Sequence, residues 1–181
     1  QSWKYYWRDV SGTEFYEMLS DKTLAVSEGD AVYGIPYVVE GYGISYNEAI
    51  MEAYFASENK STEYTSMDEI KSFEALKAVV EDMTALKDEL GIQGVFASTS
   101  MAAGEQWRWQ THLANYPVYY EYRDAKVADL DELKLTYSDN YKQIFDLYLN
   151  NSTIAPTQAS AKTVNDSMAD FAPGKAPMVQ N

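Results

Sequence analysis

Between Ser72 and Gly91 the sequence carries one amphipathic helix pattern. Phe73, Leu76, Val80, Met83, Leu86 and Leu90 recur at steps of three and four, which lays them along a single apolar stripe. Ser72 is suited to cap the amino end, and Gly91 to take the left-handed conformation just past the carboxyl end. The next residues, 92–97, form a short apolar run of the kind that fills a buried strand. A striped helix that leads straight into a buried strand has to pack helix on sheet, and this pairing points to α/β solutions.

The rest of the chain repeats the alternation. Extended segments are predicted over 32–39, bent at Pro36 because proline cannot donate to a ladder, and over 42–46. Ser11-x-x-Glu14 matches a capping box and predicts a helix over 12–20, while Gly29-Asp30 predicts a turn. Asn47 is placed to cap a helix over 48–55, and a polar loop follows over 57–66. Small residues over 98–104 predict a loop, and a helix over 105–115 is expected to stop at Pro117. Four tyrosines crowd residues 116–123, which read as strand or ordered loop. Ser138 is expected to cap a second strong helix with Tyr141, Ile144, Phe145, Tyr148 and Leu149 on one face. A loop over 150–160, a helix over 162–171 and a strand over 176–179 complete an α/β pattern with a partly parallel sheet.

Composition removes several function classes. The 181 residues suit one average domain. Lys and Arg number 14 against 28 Asp and Glu, and a net charge of -14 argues against a nucleic-acid partner, which needs a basic footprint. With no cysteine, disulfides, thiolate nucleophiles and zinc–cysteine sites are all excluded. His112 is the single histidine, so sites built from several imidazoles are excluded too, and no G-x-S-x-G elbow presents a serine. No D-x-D-x-D-G calcium loop occurs, and no apolar run reaches the 18 residues of a membrane span. The reading therefore assigns no catalytic residue, no metal and no cofactor.

Three segments, in this order and spacing, resemble one family. Residues 33–47, YGIPYVVEGYGISYN, are similar to the stretch of bacterial extracellular solute-binding proteins where the chain crosses between two lobes. SFEAL over 72–76 is similar to a helix opening that follows the crossing, and DFAPGKAPMVQN over 170–181 to the opening of a second-lobe strand. The group is the family 1, maltodextrin-binding-protein-like set serving carbohydrate ABC importers. Two departures stand out: residues 56–66 lack the usual Pro-x-Thr-Trp lead into the helix, and Pro177 replaces a common alanine.

The resemblance implies a periplasmic-binding-protein-like type II fold, mainly its second lobe. Residues 1–40 are expected to be a remnant of the first lobe and the hinge crossing, and 41–181 a second lobe truncated at its end, so that the chain is a fragment. It implies a non-enzymatic, substrate-binding component of an ATP-driven sugar or oligosaccharide importer, capturing carbohydrate in an interlobe cleft and delivering it to ABC permease subunits. The location implied is the outer face of the cytoplasmic membrane, held by a lipid anchor outside this fragment, or the periplasm. The uncovered cleft wall is expected to favour self-association. The alternative is a glycoside-active enzyme or a carbohydrate-recognising surface adhesin module.

Five residues are candidates for the substrate site. Glu40 lies within the crossing, where its two carboxylate oxygens match a pair of sugar hydroxyls. Tyr37 and Tyr42 flank it with rings suited to stack on pyranose C–H faces. Trp107 and Trp109 are two apart on a helix and point to opposite sides, so Trp109 is assigned to the core and Trp107 to the cleft, with Gln106 beside it. Glu105, Glu121 and Asp124 are the carboxylates from which a hydrolytic pair would have to be drawn.

Overall fold

The computed structural model describes residues 8–38, 41–98, 100–127 and 130–180. The chain divides into two compact units, Gln1–Gly41 and Tyr42–Asn181.

The first unit is a short helix and a hairpin. α1 (Glu14–Glu17) is only four residues long, and its cap is Thr13 rather than Ser11, because the Thr13 hydroxyl accepts from the Tyr16 amide. Ser11 instead serves Asp9, donating both its amide and its hydroxyl to that carboxylate. β1 (Val26–Glu28) and β2 (Ala31–Gly34) pair antiparallel, turning at Gly29, whose φ of 61° is open to glycine without strain. Asp9 also accepts from the Val32 amide at 3.0 Å, tying the leading segment to β2. Val32 is the one buried apolar side chain among the described residues of this unit.

The second unit holds the core. β3 (Ile44–Tyr46) pairs antiparallel with β4 (Met178–Gln180). The expected strand over 92–97 is reduced to Phe96, which bridges parallel to Met178 on one side and to Ser152 on the other. Met178 donates to the Val95 carbonyl at 3.0 Å and Ala97 to the Met178 carbonyl at 2.8 Å; Thr153 donates to Phe96 at 2.9 Å. The result is a small mixed sheet flanked by helices, an α/β arrangement with more helix than strand.

α2 (Glu48–Ala56), capped by Asn47, buries Met51 and Tyr54. α3 (Phe73–Ala85) starts at the Ser72 cap and buries Ala75, Val79, Val80 and Met83; the short α4 (Lys87–Leu90) ends at Gly91 with φ 67°. α6 (Ser138–Asn150) adds Leu147 and Tyr148, although Ser138 is its first helical residue and not its cap. α7 (Val164–Phe171) is closed by a Thr163–Asp166 capping box. The α2, α3 and α6 faces meet Val95, Phe96, Trp109 and Met178 in one core, while Met168 and Phe171 of α7 pack against Ala97, Ala176 and Val179. Phe96 stacks on Tyr148 at 4.1 Å, and Trp109 meets Tyr148 edge-on at 4.8 Å.

Two expectations are overturned between 105 and 125. The helix does not stop at Pro117, and the tyrosine-rich stretch is neither strand nor loop. A π-helical segment (Arg108–Leu113) runs directly into α5 (Ala114–Ala125), which contains Pro117. Pro117 falls in the first turn of α5, just after bonding has widened to i→i+5. The missing N–H there does not end the helix. Tyr116, Tyr119 and Tyr120 sit at helical spacing, and packing against α6 outweighs tyrosine's preference for strands.

Candidate functional site

Strand direction decides where this unit can hold a ligand. The segments through Phe96, Ser152 and Met178 run parallel, so their carboxyl ends share a rim, and antiparallel β3 brings its amino end to the same rim. In open α/β sheets that rim is where ligands bind. The side chains here are Tyr42 before β3, Ser98 and Ser100 after Phe96, and Gln180 at the end of β4, with Arg108 and Trp109 closing a shallow crevice beside them.

The π-helical segment and the turn before it supply the rest. Trp109 is 2% exposed and Trp107 is 43% exposed, the division assigned from their spacing. The Trp107 ring meets His112 edge-on at 5.0 Å, and His112 meets Tyr42 in the same manner at 4.5 Å. The Arg108 guanidinium lies over the Trp107 ring at 4.2 Å, close enough for cation–π attraction. The Tyr42 hydroxyl donates to the Arg108 carbonyl at 3.2 Å. Burial pushes the Tyr42 phenol above its ordinary value, more than Gln180 and Arg108 nearby can pull it down. It therefore stays a neutral donor at physiological pH. Gln106 Oε1 is shut away from solvent with no hydrogen-bond partner among the described residues. Buried polar atoms are rarely left so.

Of the five substrate-site candidates, the structure brings together Tyr42 and Trp107 through His112, with Gln106 next in sequence to Trp107. Tyr37 belongs to the other unit, where it is 97% exposed. Glu40 lies outside the described residues. Sequence reasoning missed His112, Arg108 and Gln180. The spacing from Trp107 to His112 is five, which aligns side chains only where bonding is i→i+5, so an α-helical period could not pair them.

The three other carboxylates are committed elsewhere. Glu121 accepts from the amides of Lys134 and Thr136, and although burial pushes its carboxyl up, those amides hold it below its ordinary value. Asp124 accepts from the Tyr137 hydroxyl and the Arg123 guanidinium, which likewise lower it. Glu105 accepts from the Val164 amide at the start of α7. A general acid needs a raised value, the opposite of what Glu121 and Asp124 show. Among the described residues, no three His, Asp or Glu side chains converge as a metal site would require, and no helix is long and apolar enough to cross a membrane.

The rim thus offers a half-exposed indole, a guanidinium, a neutral phenol and two carboxamides. Together with the hydroxyls of Ser98 and Ser100, such a set can stack on an amphipathic ring and hydrogen-bond its edges. Comparison with known proteins assigns no family: no family model, no curated protein and no solved structure matches this chain.

Proposed function

We propose that this chain is part of the carbohydrate-capturing component of an ATP-driven importer, and that the rim carrying Trp107, Tyr42 and Gln106 is one wall of its ligand cleft. The observation that carries the reading is the Trp107 indole, held half-exposed on the rim with Arg108 over its ring. An indole ring half open to solvent among polar side chains matches a sugar, which is apolar on its C–H faces and polar around its perimeter. The small mixed sheet and the crossing-like sequence over 33–47 support the periplasmic-binding-protein-like type II assignment. The other lobe closes over the bound sugar, and the closed form docks on permease subunits outside the cytoplasmic membrane.

A single wall makes weak contacts. Cleft ligands normally bury about 70–90% of their surface, and losing roughly half of those contacts turns a micromolar site into a millimolar one. Calorimetric titration of the chain with mono- and oligosaccharides should give millimolar affinity, weakened about tenfold by Trp107→Ala, the loss of one stacked ring. Sugar affinity indifferent to Trp107→Ala would overturn the assignment of this wall, and steady release of nitrophenol from arylglycosides would replace it with an enzyme.

A further inference from the structure

A second cleft lies between α5 and α6. Its volume is about 240 Å³, and its walls are Tyr116, Pro117 and Tyr120 on α5, Tyr137 ahead of α6, and Asn140 and Tyr141 on α6. Such a volume is below the 300–1,000 Å³ usual for drug-sized ligands and suits one ring with its substituents. The rings form an angled surface. Tyr116 and Tyr120 lie 6.5 Å apart with an interplanar angle of 34°, and Tyr137 meets Tyr120 at 5.4 Å and 51°.

The polar groups fall into two sets. Tyr141 donates to the Trp109 carbonyl at 2.8 Å and Tyr137 to Asp124, which fixes both rings. The Tyr116 and Tyr120 hydroxyls and the Asn140 carboxamide line the cleft and bond to no described residue. They supply donors and acceptors together, which hydroxyl groups use in both senses. The one cation, Arg123, lies 4.4 Å over the Tyr120 ring and is neutralised by Asp124 at 2.8 Å. The cleft consequently carries little net charge, and a neutral guest is favoured over an anion.

We infer that the α5–α6 cleft is a second binding site, taking one uncharged, polyhydroxylated ring such as a single pyranose, which stacks on the Tyr116–Tyr120 surface and hydrogen-bonds to Asn140. The inference does not rest on the importer reading, because it uses none of the rim residues. A planar aromatic guest would leave Asn140 and the two hydroxyls unused, and a proline-rich peptide needs a longer groove.

The test is a heteronuclear NMR titration of the full chain, labelled with 15N, using the methyl glucopyranosides, galactopyranosides and mannopyranosides, with phenol and a decaproline peptide as controls. Resonances of Tyr116, Tyr120, Asn140 and Tyr141 are expected to move with at least one glycoside at millimolar concentration. Asn140→Ala should weaken that response about tenfold, the loss of roughly 1.4 kcal/mol of contact, while Trp107→Ala leaves it unchanged. Tyr120→Phe keeps the ring and removes the hydroxyl, so it guards against misfolding and should weaken binding less than Asn140→Ala. Shifts confined to residues 42 and 106–112, shifts abolished by Trp107→Ala, a response to phenol or decaproline alone, or no shift with any glycoside at 50 mM (roughly fiftyfold above a dissociation constant of about 1 mM) would each overturn the proposal.

Discussion

The two units of this chain solve the problem of apolar surface differently. In the second unit, helical stripes on α2, α3 and α6 converge on Phe96, Trp109 and Met178, and the core closes. Among its described residues, the first unit, 41 of the 181 in all, buries Val32 and leaves Phe15, Met18, Leu24, Val26, Tyr37 and Val38 exposed. A segment this short cannot remove enough surface from water to offset its own ordering entropy. Local polar ties, above all Asp9 to Ser11 and Val32, do what packing does in the second unit. The difference teaches that one unit is held by burial and the other by local hydrogen bonds and turns, and each prediction below probes that division.

The largest effect is expected at Gly94. A Cβ there would lie 2.4 Å from the backbone of Ser152, where the chain passes against the Phe96 segment. Nothing flexible can give way, so Gly94→Ala should destabilise the second unit by about 3 kcal/mol, the upper range for overpacking. Gly29 in the hairpin of the first unit has open space around its Cβ direction. Gly29→Ala meets only the left-handed backbone penalty of about 1–2 kcal/mol, confined to the hairpin. Thermal melts that rank Gly29→Ala as the more damaging would break the comparison.

How much of this was legible in the sequence follows the same physics. Where a helix signal and its caps agree, as at Ser72, Gly91 and Asn47, the helix ends coincide within a residue or two, although the single helix expected from Ser72 to Gly91 is interrupted at Leu86. Competition between caps was not legible: Ser11 and Thr13 both suit an N-cap, and Asp9 draws Ser11 away. The run over 92–97 reads as a strand because it is buried, but only Phe96 bridges, since its partners arrive from residues 152 and 178. At the rim, Trp107 and Trp109 could be sorted by angle, whereas His112 joined them through π-helical spacing that no local preference announces. Long-range partners and rare backbone periods are what a linear reading lacks.

Asp82 comes next. It is 9% exposed on α3 and accepts from the Tyr54 hydroxyl at 2.9 Å, the Ser61 amide at 2.9 Å and the Ser61 hydroxyl at 2.7 Å. It thereby fastens the polar loop after α2 to the core. Asp82→Ala strands those donors and should cost about 2–3 kcal/mol. Burial pushes this carboxyl up, yet Ser61 and Tyr54 outweigh it, so its folded value lies below the ordinary 3.8. A lowered value means the folded state holds its proton less tightly than the unfolded chain. The contribution is present above pH 3.8 and fades as pH falls through that value toward the folded one. A wild-type melting temperature that drops between about pH 5 and 3, with a shallower drop for Asp82→Ala, is the expected pattern. Equal slopes for the two proteins would remove Asp82 from the account.

Val32→Ala probes the other unit. Val32 packs where the leading segment, through Asp9 and Val10, bonds across to β2. Removing two buried methyl carbons should cost about 1–2 kcal/mol within the first unit. Hydrogen exchange is the sensitive readout: protection at the amides of Val10 and Val32 should fall, while α3 amides keep theirs. If α3 protection falls equally, the units unfold together and the division between them is not thermodynamic.

The smallest effect sharpens the comparison by being minor in both units. Lys22 meets Glu17 at 2.6 Å in the first unit, and Lys77 meets Glu81 at 2.6 Å on α3 in the second. Both pairs are exposed, with every side chain at least 41% accessible. Water screens them and side-chain entropy opposes them, so their identical short distance says little about strength. Lys77→Ala should shift stability by about 0.3 kcal/mol, typical of an i,i+4 pair, and half-molar salt should erase most of that. Lys22→Ala should be smaller still, since no helix pre-aligns its partner. If either substitution rivalled Asp82→Ala, exposed charge rather than burial would be holding that unit, and the division drawn between the two would fail.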